Sequence, residues 1–384
     1  MGGNAMNGKM SLKGLLLSGL LISGLAQHAT AQTVPDAAKE RGYLLLPELH
    51  EMLPAERDAM TAFMGKVQAA AVTSEKTYDK PLKVALMFPS LETSDAWARL
   101  NLSIRARMEE MGVPFEIVEY MVKPDEHDRQ GAQVEQILAS DFDYVVIGPT
   151  EYQVQKSNIA RLSAEVPTLV MNVVNPFVDL LGTANQPITH VGFDHTIGAE
   201  ELCRWTIAET GGEGKIALLR YIPGLIDSQR SDHFAKCVED NSNLQIVDHF
   251  EANGDRELSF SGANALLSRH PDIKMLHAAS TAIALGALAA ATERGVLDDV
   301  IINGWGGGAD ELKSIMDGGL KVTAFRVNDD WGTAVAEAIR AHAEGQPVPV
   351  VLAATIKALD YRLTPEQITT ETDYAFRYSG KLDR

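Results

Sequence analysis

The sequence predicts an α/β protein of two Rossmann-like lobes, each a parallel sheet wrapped by helices, joined by three crossing segments. Short apolar runs of strand length recur along it, such as KVALMF (83–88), DYVVIG (143–148) and KIALLRYI (215–222). Helical patterns separate these runs, and that alternation builds parallel sheets with helices on both faces. A turn-rich segment, NPFVDLLGTANQP (175–187), interrupts the alternation and divides it into two series. A chain of 384 residues is long enough for two domains of ordinary size.

Taken in order, the chain opens on a segment outside the fold. Lys9 and Lys13 precede the apolar run LLLSGLLISGL (15–25), and Ala29-Thr30-Ala31 offers a small-x-small cleavage site. That pattern reads as a secretory signal peptide over 1–31, cleaved after Ala31, with the mature chain exported to the periplasm. Without Lys9 and Lys13 the formal charge passes from −18 to −20. So acidic a surface disfavours nucleic acid and anionic membranes as partners. No later segment reaches the length of a membrane-spanning helix.

Residues 36–78 read as a helical lead-in, with Leu45, Leu49, Met52, Met60 and Phe63 at helical spacing and breaks at Pro47 and Pro54. The first lobe is expected over 79–175 and 327–355. Its strands are KVALMF, FEIVEYM (115–121), DYVVIG and PTLVMNV (167–173); its helices are 94–112, 125–139 and 151–164. Ser94 or Asp95 is placed to cap the first of these and Gly112 to stop it. The second lobe is expected over 178–323 and 356–384, opening on the strand HVGFD (190–194) and continuing through helix 197–210, KIALLRYI, helix 227–241, LQIVDHFE (244–251) and helix 257–269. MLHAAS, VIING and KVTAFR follow as strands, then a helix at 330–344 and the closing strand PVPVVLAAT (347–355). Crossings near 175–178, 322–328 and 355–357 are expected to act as hinges.

Three stretches place a polar or aromatic residue where a strand ends: Thr281, Trp305 and Arg326. Ligands of open α/β sheets bind outside the carboxyl ends of the strands, so these residues read as walls of one small-molecule site. Arg230, in DSQRSD after strand 215–222, is a second cation able to converge on the same cleft, and two guanidiniums there would hold an anion or a polyol. Trp97 and Trp305 offer flat faces to a sugar-like ring.

An enzyme needs a catalytic constellation. G-x-S-x-G, H-E-x-x-H and a phosphate-binding P-loop are absent from the sequence. Gly306-Gly307-Gly308 lacks the Lys and Ser/Thr of a P-loop and reads as a tight turn. Asp125-Glu126-His127-Asp128 opens a helix, where acids suit the dipole, so it reads as a solvated first turn before a metal site. No metal and no catalytic residue is assigned. His277, inside an apolar strand, reads as a core residue. Cys203 and Cys237, the only cysteines, lie in helical patterns and are either paired or two buried thiols; Cα separation decides.

Beside this reading stands a family resemblance. The segments VGFDHTIGAEEL (191–202), STAIALGA (280–287), INGWGGGADEL (302–312), RVNDD (326–330) and AFRYS (375–379) resemble LuxP-type autoinducer-2 receptors, a branch of the type I periplasmic-binding-protein family. The resemblance covers nearly the whole mature chain. It implies a receptor for autoinducer-2 or a related furanosyl sugar or polyol, with no cofactor beyond borate carried by the ligand, and no enzyme activity. Closing on the ligand, it would signal in quorum sensing to a membrane sensor kinase of the LuxQ type. The alternative implied by the same fold is the substrate-binding protein of an ABC permease for ribose, galactose or a similar sugar. Ser94 and Trp97 (in SDAW), Asn172, Arg230, Thr281, Trp305 and Arg326 match the family's ligand contacts. Two positions depart from its pattern: Glu92 stands where a Gln is expected, and Ala282 where an Asp is expected. The first adds a charge unfavourable to a borate anion; the second removes an acceptor for a hydroxyl. Both leave the ligand's identity open.

Overall fold

The computed structural model describes residue 1, residues 33–89 and residues 94–380. The expected signal peptide and Glu92 lie outside the described residues. Contacts divide the chain into residues 1–33 and 34–384, and the architecture below is that of the second unit.

Three helices lead in: α1 (Asp36–Arg41), α2 (Leu46–Met52) and α3 (Pro54–Gln68). The first series runs β1 (Leu82–Pro89), α4 (Ala96–Glu110), β2 (Phe115–Val122), α5 (His127–Leu138), β3 (Tyr144–Ile147), α6 (Lys156–Glu165), β4 (Thr168–Met171) and β5 (Thr189–Gly192). The second runs α7 (His195–Thr210), β6 (Glu213–Arg220), α8 (Leu225–Asp227), a π-helical turn (Ser228–Asp232), α9 (His233–Asn241), β7 (Asn243–Glu251) and α10 (Arg256–Arg269). It continues through β8 (Ile273–Ala278), α11 (Thr281–Arg294), β9 (Ile301–Gly306), α12 (Ala309–Met316) and β10 (Val322–Arg326). Then come α13 (Asn328–Ala343), β11 (Val351–Ala353), β12 (Ile356–Asp360) and α14 (Pro365–Ala375).

The strands form two six-stranded sheets, ordered β11-β5-β4-β3-β1-β2 and β12-β10-β9-β8-β6-β7. All pairings are parallel except β10 with β12. The interior strands β3, β4 and β10 are buried along their length, as sheets covered on both faces require. Helix starts are set locally: Asp194 accepts from the Thr196 amide, Asp255 from Leu258 and Ser280 from Ile283, each satisfying an amide that the helix leaves unbonded.

Two expected boundaries move. The strand at 190–194 was expected to open the second lobe after a crossing at 175–178, but β5 pairs with both β4 and β11 and completes the first sheet. The physical reason is its burial. All four of its residues are buried, so its backbone groups need partners on both sides, and β4 and β11 supply them. The 175–187 segment stays in the first lobe and packs on the lead-in: Leu44 donates to the Pro176 carbonyl at 3.0 Å, and Asn175 Nδ2 to the Leu44 carbonyl at 3.0 Å. The first crossing therefore falls between Gly192 and His195. The other two fall at Val327, between β10 and α13, and at 354–355, between β11 and β12. The expected closing strand 347–355 shortens to β11, and β12, not foreseen, adds to the second sheet.

The C-terminus also departs from a simple second-lobe assignment. Ile368, Ala375 and Phe376 pack in the second lobe's hydrophobic cluster. The next residues bind the first lobe: Arg377 pairs with Asp330 at 2.8 Å, and the Tyr378 amide donates to Asp329 Oδ2 at 2.5 Å.

Cys203 on α7 and Cys237 on α9 are joined in a disulfide, with Cα atoms 6.1 Å apart. It closes a loop of 34 residues in sequence separation. In the chain-entropy model a loop of that order is worth about 3–4 kcal/mol. Replacing both cysteines with alanine is expected to lower the unfolding free energy by about 3 kcal/mol in urea titration. An unchanged midpoint would show that α7 and α9 hold together without the bond.

Candidate functional site

The carboxyl ends of both sheets face one cavity of about 40 Å³, lined by Ser94, Trp97, Asn172, Tyr221, Ile226, Arg230, Ser280, Thr281, Trp305 and Arg326. The first lobe contributes Ser94 and Trp97 from the start of α4, and Asn172 just beyond β4. The second contributes the rest: Tyr221, Ile226 and Arg230 after β6, Ser280 and Thr281 after β8, Trp305 near the end of β9 and Arg326 ending β10. Every sequence-expected site residue within the described part of the chain lies on this cavity.

Trp305 is fully buried, with the Arg230 guanidinium 5.1 Å from its ring centroid and the rings of His195 and His277 at 6.0 and 6.3 Å. The loop that carries it is shaped by Glu311, itself fully buried. The Trp305 amide donates to one Glu311 oxygen at 3.1 Å and the Gly307 amide to the other at 2.9 Å; Thr323 Oγ1 also donates to the latter, at 2.5 Å. Gly307 has φ of +69°, and a Cβ there would stand 2.3 Å from the Phe325 ring, so only glycine fits this turn. The Gly-rich stretch is thus a turn that holds a tryptophan in place. Thr281 Oγ1 donates to the Trp305 carbonyl at 3.0 Å, tying α11 to the same loop.

Trp97 stacks near Phe88, ring centroids 6.0 Å apart, and meets Trp331 at 4.9 Å. Ser94 Oγ accepts from the Ala96 amide at 3.2 Å, so of the two expected caps of this helix it is Ser94 that acts, while Asp95 makes no cap bond. Asn172 has φ of +71°, a left-handed conformation that Asn tolerates better than most residues.

Electrostatically the site is cationic among the described residues. Arg230 and Arg326 are each 5% exposed, and no described residue lining the cavity is Asp or Glu. Arg230 Nη1 donates to the Ala279 carbonyl at 2.9 Å, whereas its Nε and the Nε of Arg326 have no hydrogen-bond partner. Burial and the Arg326 charge push the Arg230 guanidinium down to about 9, still cationic at neutral pH; burial lowers Arg326 as well. Trp305 Nε1 and Asn172 Oδ1 are also buried and unpartnered. The site thus combines surplus donors with one free amide oxygen, a set that recognises a compact ligand rich in oxygen.

The sequence reading missed Tyr221, Ile226, Ser280 and His195. Tyr221 follows a strand end, the same signal that marked Arg326, and was available. His195 was not legible: its Nε2 lies 3.0 Å from the Asn172 carbonyl and 3.3 Å from Arg230 Nη2, contacts that only folding creates.

Burial and the two arginine charges hold the His195 imidazole well below its ordinary value. Burial brings His190 to about 4, and burial with the Arg220 charge brings His277 to about 3. Groups depressed in the folded state bind protons more readily when unfolded. Their stabilisation is complete above pH 6.5 and is lost as pH falls toward the folded values. Thermal midpoints are therefore expected to drop steadily from pH 6.5 to 4, and His277→Phe should flatten the slope. A midpoint constant across that range would contradict this.

Elsewhere, the Asp125–Asp128 run behaves as a helix start. Glu126 accepts from the Lys123 amide at 2.8 Å and pairs with Arg129, and His127 Nδ1 meets Thr150 Oγ1 at 2.8 Å. Among the described residues no group of three or more His, Cys, Asp or Glu is placed to hold a metal ion. No described helix is long and apolar enough to cross a membrane.

Comparison with known proteins agrees with this architecture. The chain is 26% identical over 235 residues to the ribose import binding protein RbsB of Bacillus subtilis, covering 61% of this chain and 73% of that one. It is 26% identical over 249 residues to the D-ribose/D-allose-binding protein of Pseudomonas aeruginosa, covering 64% and 76%. Among solved structures, an ABC transporter solute binding protein from Bacillus halodurans with bound myo-inositol superposes with a TM-score of 0.64 at 21% identity, covering 78% of this chain and 100% of that one. The arabinose-binding component from a Shewanella species, bound to L-arabinofuranose, gives 0.67 at 17%, covering 79% and 98%. At these identities the structures show a shared fold. The model of the periplasmic binding protein domain matches residues 84–347, a span that runs from β1 through α13 and holds every cavity residue, and the chain belongs to that family.

Proposed function

We propose that this protein is the periplasmic sugar-binding component of an ABC transporter, holding a small furanose, pyranose or cyclic polyol between its lobes and performing no chemistry on it. One observation carries the reading: two buried guanidiniums, two tryptophans, an asparagine and four hydroxyl side chains from both lobes line a single cavity. Buried polar atoms without partners are costly, and Arg230 Nε, Arg326 Nε, Trp305 Nε1 and Asn172 Oδ1 are four such atoms that ring oxygens and hydroxyls would satisfy. Tryptophan faces suit the apolar face of a sugar ring. The sequence resemblance puts signal reception first and sugar import second; relatives named for ribose and allose support the reverse order. The partner of the closed form is then an ABC permease.

A second reading is favoured by the charge balance. Two buried arginines with no carboxylate among the described lining residues also suit an anionic ligand such as borate-bound autoinducer-2, with a sensor kinase as partner.

One experiment separates them. Ligand released by denaturing freshly purified protein is identified by mass spectrometry, and calorimetric titration follows with D-ribose, D-allose, L-arabinose, myo-inositol and autoinducer-2, with and without borate. A neutral sugar bound tightly supports import. Binding of autoinducer-2 alone supports the receptor reading. No binding across the panel, with no released sugar, would refute both.

A further inference from the structure

Two carboxylates of the first lobe reach across the cleft without lining the cavity. Asp95 Oδ2 accepts from the Ala309 amide at 3.2 Å, at the start of α12 in the second lobe, while also accepting from Arg99 Nε at 2.9 Å. Glu151, in the loop after β3, accepts from the Leu225 amide at 3.3 Å, after β6 in the second lobe, and its other oxygen accepts from the Val154 amide at 2.7 Å. The two contacts share a construction. Each acceptor meets the second lobe at a glycine followed by an amide donor, Gly308-Ala309 and Gly224-Leu225.

Gly308 is required by the contact, and Gly224 both by the contact and by its φ of +147°. A Cβ on Gly308 would stand 2.2 Å from Asp95 Oδ1, and one on Gly224 would stand 2.3 Å from Glu151 Oε1. Gly308 has φ of −69°, which any residue adopts, so only the approach of the carboxylate calls for glycine there. The Leu225 side chain adds an apolar part: it is 2% exposed and buried in the first lobe's cluster with Tyr43, Tyr152 and Phe177. Each contact is also one or a few residues from the cavity. Asp95 follows Ser94, Gly308 lies three residues beyond Trp305, and Leu225 precedes Ile226.

We infer that Asp95 and Glu151 are paired closure latches, affinity-determining residues that act without touching the ligand. Each is a charge-assisted bond that exists only when the lobes meet, and for Asp95 the positive end of α12 adds to it. Ligand binding draws the lobes together, and the latches hold them so. Apparent affinity scales with the fraction of protein in the binding-competent form, so loss of a latch lowers affinity while the cavity is unaltered. This inference rests on the binding-protein reading.

Gly308→Ala is the discriminating variant, because it leaves Asp95, Arg99 and every cavity residue in place. Glu151→Gln and Leu225→Ala report the other side. Small-angle scattering and peptide-resolved hydrogen exchange over 305–312 and 222–228 are read for each protein, alone and with the saturating sugar from the panel above. Expected are a larger radius of gyration, faster exchange in both segments, and about tenfold weaker sugar binding for each variant. Weaker binding with unchanged radius and exchange would overturn the latch. So would a wild type whose two segments exchange as fast as the variants' with and without sugar. Scattering and exchange are read without ligand too, so failure of every sugar to bind sinks the binding assignment while the latch is still judged on lobe separation.

Discussion

Arg326→Ala is expected to weaken ligand binding by about 2 kcal/mol or more, roughly thirtyfold, measured by calorimetry with whichever panel ligand binds the wild type. The guanidinium is 5% exposed at the end of β10, its Nε has no hydrogen-bond partner, and it lies over the Phe193 ring at 5.4 Å. A donor placed so deep without a protein acceptor has its bonding capacity directed at the cavity. The stability effect runs the other way. Arg326 and Arg230 are buried like charges, and each carries a desolvation penalty. Replacing a buried charge with an apolar chain of similar length removes both repulsion and desolvation, so Arg326→Met is expected to keep or raise the thermal midpoint while abolishing tight binding. Unchanged affinity in either variant would remove Arg326 from the site. Arg326→Lys should rescue little, because an ammonium lacks the planar fork.

The largest stability loss is expected from Glu337→Ala, at about 3–5 kcal/mol in urea unfolding. Arg107 on α4 and Glu337 on α13 are 1% and 2% exposed, and Arg107 Nε and Nη2 donate to Glu337 Oε1 at 2.9 and 2.7 Å. Arg107 also donates to the Lys66 and Ala69 carbonyls, each at 3.0 Å, and Arg340 donates to the other Glu337 oxygen at 2.7 Å. Removing Glu337 takes away the buried carboxylate of Arg107 and leaves its charge between α3, α4 and α13 with only the half-exposed Glu110 carboxylate, 3.9 Å away. The pair as a whole is a different matter: Arg107→Leu with Glu337→Met should cost far less than the single change, since both desolvation penalties vanish together. A single variant within about 1 kcal/mol of wild type would show that water reaches Arg107.

What was legible in the sequence follows from the range of each signal. The strand–helix alternation is local, and it placed nearly every element from β1 to α13. Strand ends are also local features, which is why Thr281, Trp305 and Arg326 could be marked as one site before any coordinates. Residue type marked Arg230 and Trp97, family motifs added Ser94 and Asn172, and all seven line the same cavity. The errors came where two distant segments decide. Residues 189–192 look alike as the last strand of one lobe or the first of the next. Their place was settled by β11, which follows them by about 160 residues and offers the edge they pair with. β12 and α14 were missed because their apolar positions are few and meaningful only against β10 and Phe325.

Asp95 shows the same division within a single residue. By sequence it is a helix cap beside Ser94; in the folded chain it bonds Arg99 and the amide of Ala309, 214 positions away. The sequence by itself determined the two-lobed class, the strand-end residues and their chemistry, because periodicity and residue type are written locally. The tertiary structure alone decided where the lobes divide, which cysteine state holds, and which carboxylates bridge the cleft. Those depend on distances between segments far apart in the chain, set by how both sheets pack and close.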